Sequence, residues 1–336
     1  MNNVKDRSNF CPIPFLQLQL NPVGNVSACC FSGEHKVGDI LTDTIQNIWN
    51  GNEIQKWRSE FINDEIKICK SAMKNFECHK MFKHLNALVD NVSTVQSSLP
   101  KRLDIRLNGK CNLECVMCDV WKQPNGLYDK SDFWEIGPEK IFPFLIEVDL
   151  LGGEPFIQKD TFRFIEEVSK VNSKCTWAFV TNASYVFSDY LENILNKILI
   201  RSIHISLDGM TKDTYEKIRI KGNFEKTFNT VRRYLEYRKE RFALGKGFVL
   251  FSSMCVQRDN YHEIGLFLDF CKENEIQPVL QSVIGRDHLS LSKLKRSQLV
   301  AIQDSLKPYL ETENRFSVLP VYEDVAKFLK QYEEII

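Results

Sequence analysis

From residue 101 to residue 285 short apolar segments alternate with longer amphipathic ones, and this alternation constrains the fold more than any other feature of the chain. Candidate strands are Leu103–Leu107, Glu147–Leu151, Thr176–Thr181, Ser202–Leu207, Phe248–Val256 and Pro278–Ile284. Between them lie helical stretches near Pro138–Phe144, Thr161–Val171, Tyr190–Ile198, Phe224–Phe242 and Tyr261–Asn274. Strand, helix and strand at this spacing form right-handed βαβ units, hence a parallel sheet. Such sheets carry their active sites on the loops that leave the carboxyl ends of the strands. Two more helical stretches, one of them Val321–Tyr332, follow in residues 291–336.

The loop after the first strand reads Cys111-Asn-Leu-Glu-Cys115-Val-Met-Cys118. Thiolates at this spacing select zinc, copper or an iron–sulfur cluster over hard cations. Their number is informative. Structural zinc closes a tetrahedron with four ligands, whereas three cysteines on a cuboidal four-iron cluster leave one iron open for a small molecule.

The Cys-x3-Cys-x2-Cys spacing, with Asn112 after the first cysteine, resembles the cluster loop of the radical S-adenosylmethionine (SAM) enzymes. After the second strand comes Leu151-Gly-Gly-Glu-Pro155, which resembles the GGE motif of that family. Gly-Gly after a strand also serves as an ordinary turn. The resemblance implies that Cys111, Cys115 and Cys118 hold a [4Fe-4S] cluster and that Gly152, Gly153 and Glu154 contact SAM. It further implies a partial (β/α)6 TIM-like barrel. Asn182 after the third strand and Ser206 and Asp208 after the fourth are candidate SAM contacts, with helix capping as the alternative for Asn182 and Asp208. Arg219, in the "SLDG … R-x-x-G-x-F" passage, is a candidate carboxylate clamp or else a surface arginine. Cys175, Cys255 and Cys271 read as structural, although Cys255 ends the fifth strand and is placed to face the site.

Residues 11–95 form a separate pattern. Cys11–Leu20 alternates as a strand, Asn21–Asn25 turns, and Val26–Cys30 returns; Gly38-Asp-Ile, helices around Ile45 and Trp57, and Cys69 and Cys78 follow. This resembles the SPASM/twitch module, which in many radical SAM enzymes holds an auxiliary iron–sulfur cluster. The resemblance implies Cys11, Cys29, Cys69 and Cys78 as ligands of a possible second cluster, with Cys30 as an alternative and His35 a minor one. The family pattern ends in Cys-x-x-Cys, and here the last position is Ala72. The segments expected are 1–85 for this SPASM/twitch-like module, 86–100 as a linker rich in small polar residues, 101–290 as the barrel and 291–336 as a helical extension.

Lysine plus arginine equal aspartate plus glutamate, 44 each, so net charge gives no cause to expect nucleic acid or an anionic membrane as partner. Without an apolar amino-terminal segment or a spanning stretch the reading is cytoplasmic, where 11 cysteines point to metal or redox chemistry rather than disulfides. The resemblance implies reductive cleavage of SAM to a 5′-deoxyadenosyl radical that abstracts hydrogen from a substrate. Reduced flavodoxin or ferredoxin is the implied electron donor, and a peptide or protein the expected substrate. A nucleotide, nucleic acid or small metabolite stays open, and a zinc-binding interaction protein is the alternative from another class.

Overall fold

A computed structural model of the chain describes residues 4–29, 35–69, 82–312 and 314–333. Cys30, Ala72 and Cys78 lie outside the described residues. Contacts divide the chain into two compact units: Met1–Lys110 with Lys122–Ala178 and Asn193–Leu199, and Cys111–Trp121 with Phe179–Glu192 and Ile200–Ile336.

In the first unit, Pro12 and Pro14 fix one helical turn, α1 (Ile13–Leu16), ahead of β1 (Gln17–Leu20). The strand expected over Cys11–Leu20 is shortened because proline's fixed φ suits a helix start and its missing N–H does not suit a ladder. Gly24 turns at φ +88°, and β2 (Asn25–Ser27) returns antiparallel with Gln19 opposite Ser27. β3 (Gly38–Asp39) pairs with β2 in turn. Helix α2 (Ile45–Trp49) starts at Thr44, whose side chain accepts from the Asn47 N–H, and α3 (Asn52–Asn63) ends at left-handed Asp64. Fully buried Arg58 ties these pieces together. It donates to Pro14 O (2.8 Å) and Thr94 O (2.7 Å) and lies 4.2 Å from the centroid of the Trp49 ring.

The stretch expected as a linker is docked on the same helices, with Trp49 Nε1 donating to Ser98 O at 2.7 Å and Asn50 Nδ2 to Gln96 O at 2.9 Å. Beyond it runs β4 (Arg102–Ile105). β1 pairs in parallel with β4, Gln17 opposite Arg102 and Leu20 opposite Ile105. β4 pairs in parallel with β5 (Glu147–Leu150), which gives the order β3-β2-β1-β4-β5 in this unit. Both faces of β1 and β4 are buried, as expected of strands inside an α/β sheet. Leu18, Leu20, Leu103 and Ile105 form one face. Gln17, Gln19, Arg102 and Asp104 form the other, where Arg102 Nε donates to Glu147 at 3.1 Å and the guanidinium also pairs with Asp149.

Between β4 and β5 the expected helix at Pro138–Phe144 is replaced by a π-turn (Gly137–Ile141) and a 3-10 turn (Phe142–Phe144), since Pro143 has no N–H with which to continue an α-helix. Helix α4 (Lys159–Val171) sets Phe164 against Phe142 at 5.2 Å and Trp177 at 5.3 Å between ring centroids, an edge-on aromatic core. Trp177 belongs to β6 (Thr176–Thr181), the strand in which the two units meet in sequence.

In the second unit β7 (Leu199–Ser206), β8 (Val249–Val256) and β9 (Gln277–Ser282) are parallel and adjacent in that order. Helices α6 (Lys212–Ile218), α7 (Phe224–Ala243) and α8 (Ile264–Glu273) alternate with them, while α5 (Asp189–Leu195), before β7 in the chain, runs across the boundary of the units. Helix α9 (Arg296–Leu306) packs on α10 (Arg315–Glu333), which lies against β9 through the side where Val318, Val321 and Val325 are fully buried. The α/β class with a parallel sheet matches the expectation.

Candidate active site

In the second unit the cysteine loop is held along its length by its neighbours. Glu114 N–H donates to Ile220 O and Val116 N–H to Ile218 O, both at 3.0 Å, so Cys115 is fixed beside the chain that carries Arg219. Asn112 Nδ2 donates to Ser184 O at 2.6 Å, and Asn182 Nδ2 donates to Asn112 Oδ1 at 3.0 Å. All three loop cysteines are half-buried. Backbone N–H groups point at two of their sulfurs, Leu113 N to Cys111 Sγ and Val120 N to Cys118 Sγ, each at 3.4 Å, and Asn182 Nδ2 reaches Cys111 Sγ at 3.6 Å. Donors aimed at sulfur favour the thiolate, the form that binds metal.

Asp208 and Arg219 meet as a buried ion pair at 2.7 Å, with side chains 1% and 6% exposed. The pairing follows from local structure. Asp208 leaves the end of β7, its Oδ1 accepts the Cys255 N–H at 2.7 Å, and its carbonyl accepts from Asn260 at 3.0 Å. The next turn is capped by Glu263, which accepts from Met210 N at 2.5 Å. Desolvation is the largest single influence and works against the Arg219 charge, but Asp208, Cys115 and Tyr215 together outweigh it and leave the guanidinium above its ordinary value. Burial pushes the Cys115 thiol up to about 11, opposed by the charge of Arg219. Arg219 is therefore no surface arginine.

Cys255, which the sequence left as structural, lies in the field of Asp208, Arg219, Cys115 and Cys118, and burial pushes its thiol up to about 12. Cys175 and Cys271 are buried without that company. Asn182 is 7% exposed and its Oδ1 accepts from Ser184 N at 2.7 Å, so it serves the loop as a turn former as well. Ser206 ends β7, its hydroxyl 3.5 Å from that of Ser253. Arg286 pairs with Asp119, the residue after Cys118.

In the first unit the Gly152-Gly153-Glu154 loop leaves β5 with both glycines at positive φ, +91° and +52°. A Cβ on Gly153 would stand 2.2 Å from Lys110 O, and one on Gly152 2.6 Å from Arg106 Cβ. Only glycine fits this approach. Glu154 N–H and Gln158 Nε2 both donate to Lys110 O at 2.9 Å, so the loop is pinned to the residue that precedes Cys111 in the chain. The Glu154 carboxylate is fully buried and accepts from Phe156 N at 3.1 Å. Gln158, 1% exposed, also donates to Gly152 O at 3.0 Å. Sequence reasoning missed Gln158; a glutamine three residues after Gly-Glu-Pro carries no recognisable signal.

In the amino-terminal module Cys11 and Cys29 are buried and Cys69 is half-buried, with Trp57 Nε1 donating to Cys69 Sγ at 3.3 Å. Among the described residues no group of three or more His, Cys, Asp or Glu side chains converges as ligands of a single ion. Thiolates on a cuboidal cluster each bind a different iron and need no such convergence.

The family model for the radical SAM superfamily matches residues 105–271. The model for the SPASM iron–sulfur cluster-binding domain matches residues 11–73. This chain belongs to the radical SAM superfamily. It is an iron–sulfur enzyme that uses a [4Fe-4S] cluster and SAM, and a SPASM domain, the type that binds an auxiliary cluster, precedes the SAM domain. Among curated relatives, GTP 3′,8-cyclase of Clostridium botulinum (strain Hall) is 29% identical over 248 residues, 69% of this chain and 71% of that protein. GTP 3′,8-cyclase of Campylobacter lari is 24% identical over 237 residues, 67% and 70% of the two chains. Of solved structures, Streptococcus suis SuiB bound to precursor peptide SuiA aligns with a TM-score of 0.47 at 15% identity, covering 88% of this chain and 69% of that one.

The donor set fits the family's cofactor. Three half-buried thiols on one loop, two of them facing backbone N–H groups, suit a cluster held by three cysteines. Membership in the family sets aside the zinc-binding interaction protein.

Proposed function

We propose that this radical SAM enzyme abstracts hydrogen from a peptide or protein substrate. The observation that carries the reading is the parallel pairing of β1 with β4, which puts Gln17 and Gln19 of the SPASM domain on one sheet face with Arg102 and Asp104 of the SAM domain. That face is closed to solvent, yet Gln17 Oε1, Gln19 Nε2 and Asp104 Oδ1 on it have no hydrogen-bond partner among the described residues, and unpaired amide and carboxyl groups suit a ligand rich in amides.

When bound, the four-iron cluster supplies the electron that cleaves SAM to methionine and the 5′-deoxyadenosyl radical. The chain's own part is to hold and orient. Cys111, Cys115 and Cys118 are the ligands, and the N–H groups of Leu113 and Val120 stabilise two of the thiolates. Gly152 and Gly153 let main chain approach a small ligand, while Gln158 and the Lys110 carbonyl keep that loop in place. The Asp208–Arg219 pair fixes the chain beside Cys115, and with Asn182 it is proposed to contact SAM. A reduced flavodoxin or ferredoxin is the proposed donor.

A nucleotide substrate is the second reading, favoured by the two curated relatives whose names are GTP 3′,8-cyclase. One assay separates the two. The reconstituted enzyme, SAM and dithionite are incubated with a deuterated random-sequence peptide mixture or with deuterated GTP, and deuterium in 5′-deoxyadenosine is measured. Transfer from peptide supports the proposal; transfer from GTP alone overturns it. In the same assay alanine at any one of Cys111, Cys115 or Cys118 is expected to abolish 5′-deoxyadenosine formation with the circular dichroism spectrum unchanged.

A further inference from the structure

We propose that His35 is a nitrogen ligand of the auxiliary cluster, completing a set with Cys11, Cys29 and Cys69. The proposal rests on the presence of that cluster in the SPASM domain. A cuboidal cluster without an open iron needs four protein ligands, and the sequence has alanine at position 72 where the fourth thiolate of the pattern belongs. Cys30 and Cys78, the other candidates for that place, lie outside the described residues, and within the described residues the structure offers a different donor.

His35 and Cys29 lie at the mouth of one hairpin. Val37 N–H donates to Val26 O at 2.8 Å and closes β2 onto β3, and Ser27 Oγ joins the two arms by donating to His35 O at 2.9 Å and reaching Cys29 O at 3.3 Å. Across from the hairpin stands Trp57 on α3. The His35 ring meets it edge-on with centroids 5.0 Å apart, and the indole N–H of the same residue points at Cys69 Sγ. Trp57 is fully buried, so imidazole and thiol are gathered around one rigid plate.

The Nε2 atom of His35 is buried and has no hydrogen-bond partner among the described residues. A buried ring nitrogen is normally paired, because leaving it unpaired forfeits its hydration. Histidine is an established ligand type for iron–sulfur clusters and raises their potential relative to thiolate. An imidazole beside two cysteines of an iron–sulfur domain therefore has a chemical reason to keep its nitrogen unpaired. The indole N–H on Cys69 would act in the same direction, since a donor to a ligating sulfur stabilises the reduced cluster.

The test uses the protein carrying C111A, C115A and C118A together, so that the SAM cluster is removed and iron reports the auxiliary one. It is labelled with 15N-histidine, reconstituted anaerobically, reduced with dithionite and examined by pulsed electron paramagnetic resonance. The expected result is about four irons per chain and a resolved 15N coupling. Adding H35C should keep the iron, erase the coupling and lower the reduction potential. Four irons without a histidine coupling, or a coupling that survives H35C, overturns the ligand assignment. Absence of iron from the triple variant removes the auxiliary cluster itself, an outcome distinct from loss of the nitrogen signal alone.

Discussion

Asp104 sits inside β4 with its neighbours fixed by sheet register, Gln19 on one side and Asp149 on the other. Burial, with a smaller contribution from Asp149, pushes its carboxyl up to about 6 against the pull of Arg106 and Arg102. The folded protein therefore holds this proton more tightly than the unfolded chain does. Its contribution to stability is complete below about pH 4 and is lost as pH rises through about 6. A shift of this size corresponds to on the order of 3 kcal/mol. Urea titrations from pH 4 to 7 should show wild-type stability falling by that order relative to D104N; parallel curves would mean that Asp104 ionises freely. Gly153 gives a second prediction. Its positive φ and the 2.2 Å approach to Lys110 O make G153A a strained substitution at ~1–3 kcal/mol. If that strain falls on ligand binding, SAM affinity drops roughly 5- to 150-fold, while iron content stays at the wild-type level. Equilibrium dialysis with labelled SAM checks this, and unchanged affinity would separate the loop from the cosubstrate. The cysteine triplet was legible at this scale because its spacing is covalent. The Asp208–Arg219 pair was not, because it depends on residues 218–220 docking along the cysteine loop, a contact that no local pattern encodes.

Among the elements, β6 ran from Thr176 to Thr181 as read, since β-branched and aromatic residues bounded by turn formers leave little choice. The carboxyl-terminal helix was read as starting at Val321 and instead starts at Arg315. Pro320 sits inside α10, where its missing N–H and ring would ordinarily break the run. Packing overrides that preference. Val318 and Val321 flank the proline and are both fully buried, so the turn before it is held by tertiary contact. V321A should therefore destabilise the protein by about 2 kcal/mol, whereas E323A should leave the denaturation midpoint unchanged. Equal effects would indicate that α10 contributes only its own helicity. The pairing of β1 with β4 was beyond sequence reading altogether, for strand partners so distant in the chain leave no mark on either strand's pattern.

For the whole molecule the decisive quantity is iron. A radical SAM enzyme with one SAM cluster and one auxiliary cluster carries about eight irons per chain, falling to about four when Cys111, Cys115 and Cys118 are all replaced by alanine. Four falling to none would assign all the iron to the SAM domain and leave the SPASM domain as a substrate platform. The neutral charge balance predicts that this loading, and substrate turnover, will vary little with moderate salt. No helix among the described residues is long and apolar enough to cross a membrane. The joining of β1 to β4 also bears on how the protein is made. Gln17 leaves the ribosome 85 residues before its partner Arg102, which at ordinary elongation rates is a delay on the order of 4–17 s. Throughout it, the outer edge of β1 has no strand to pair with and Cys11 and Cys29 lack their finished surroundings. The amino-terminal domain is therefore expected to finish folding only after the strand that leads to Cys111 has been synthesised.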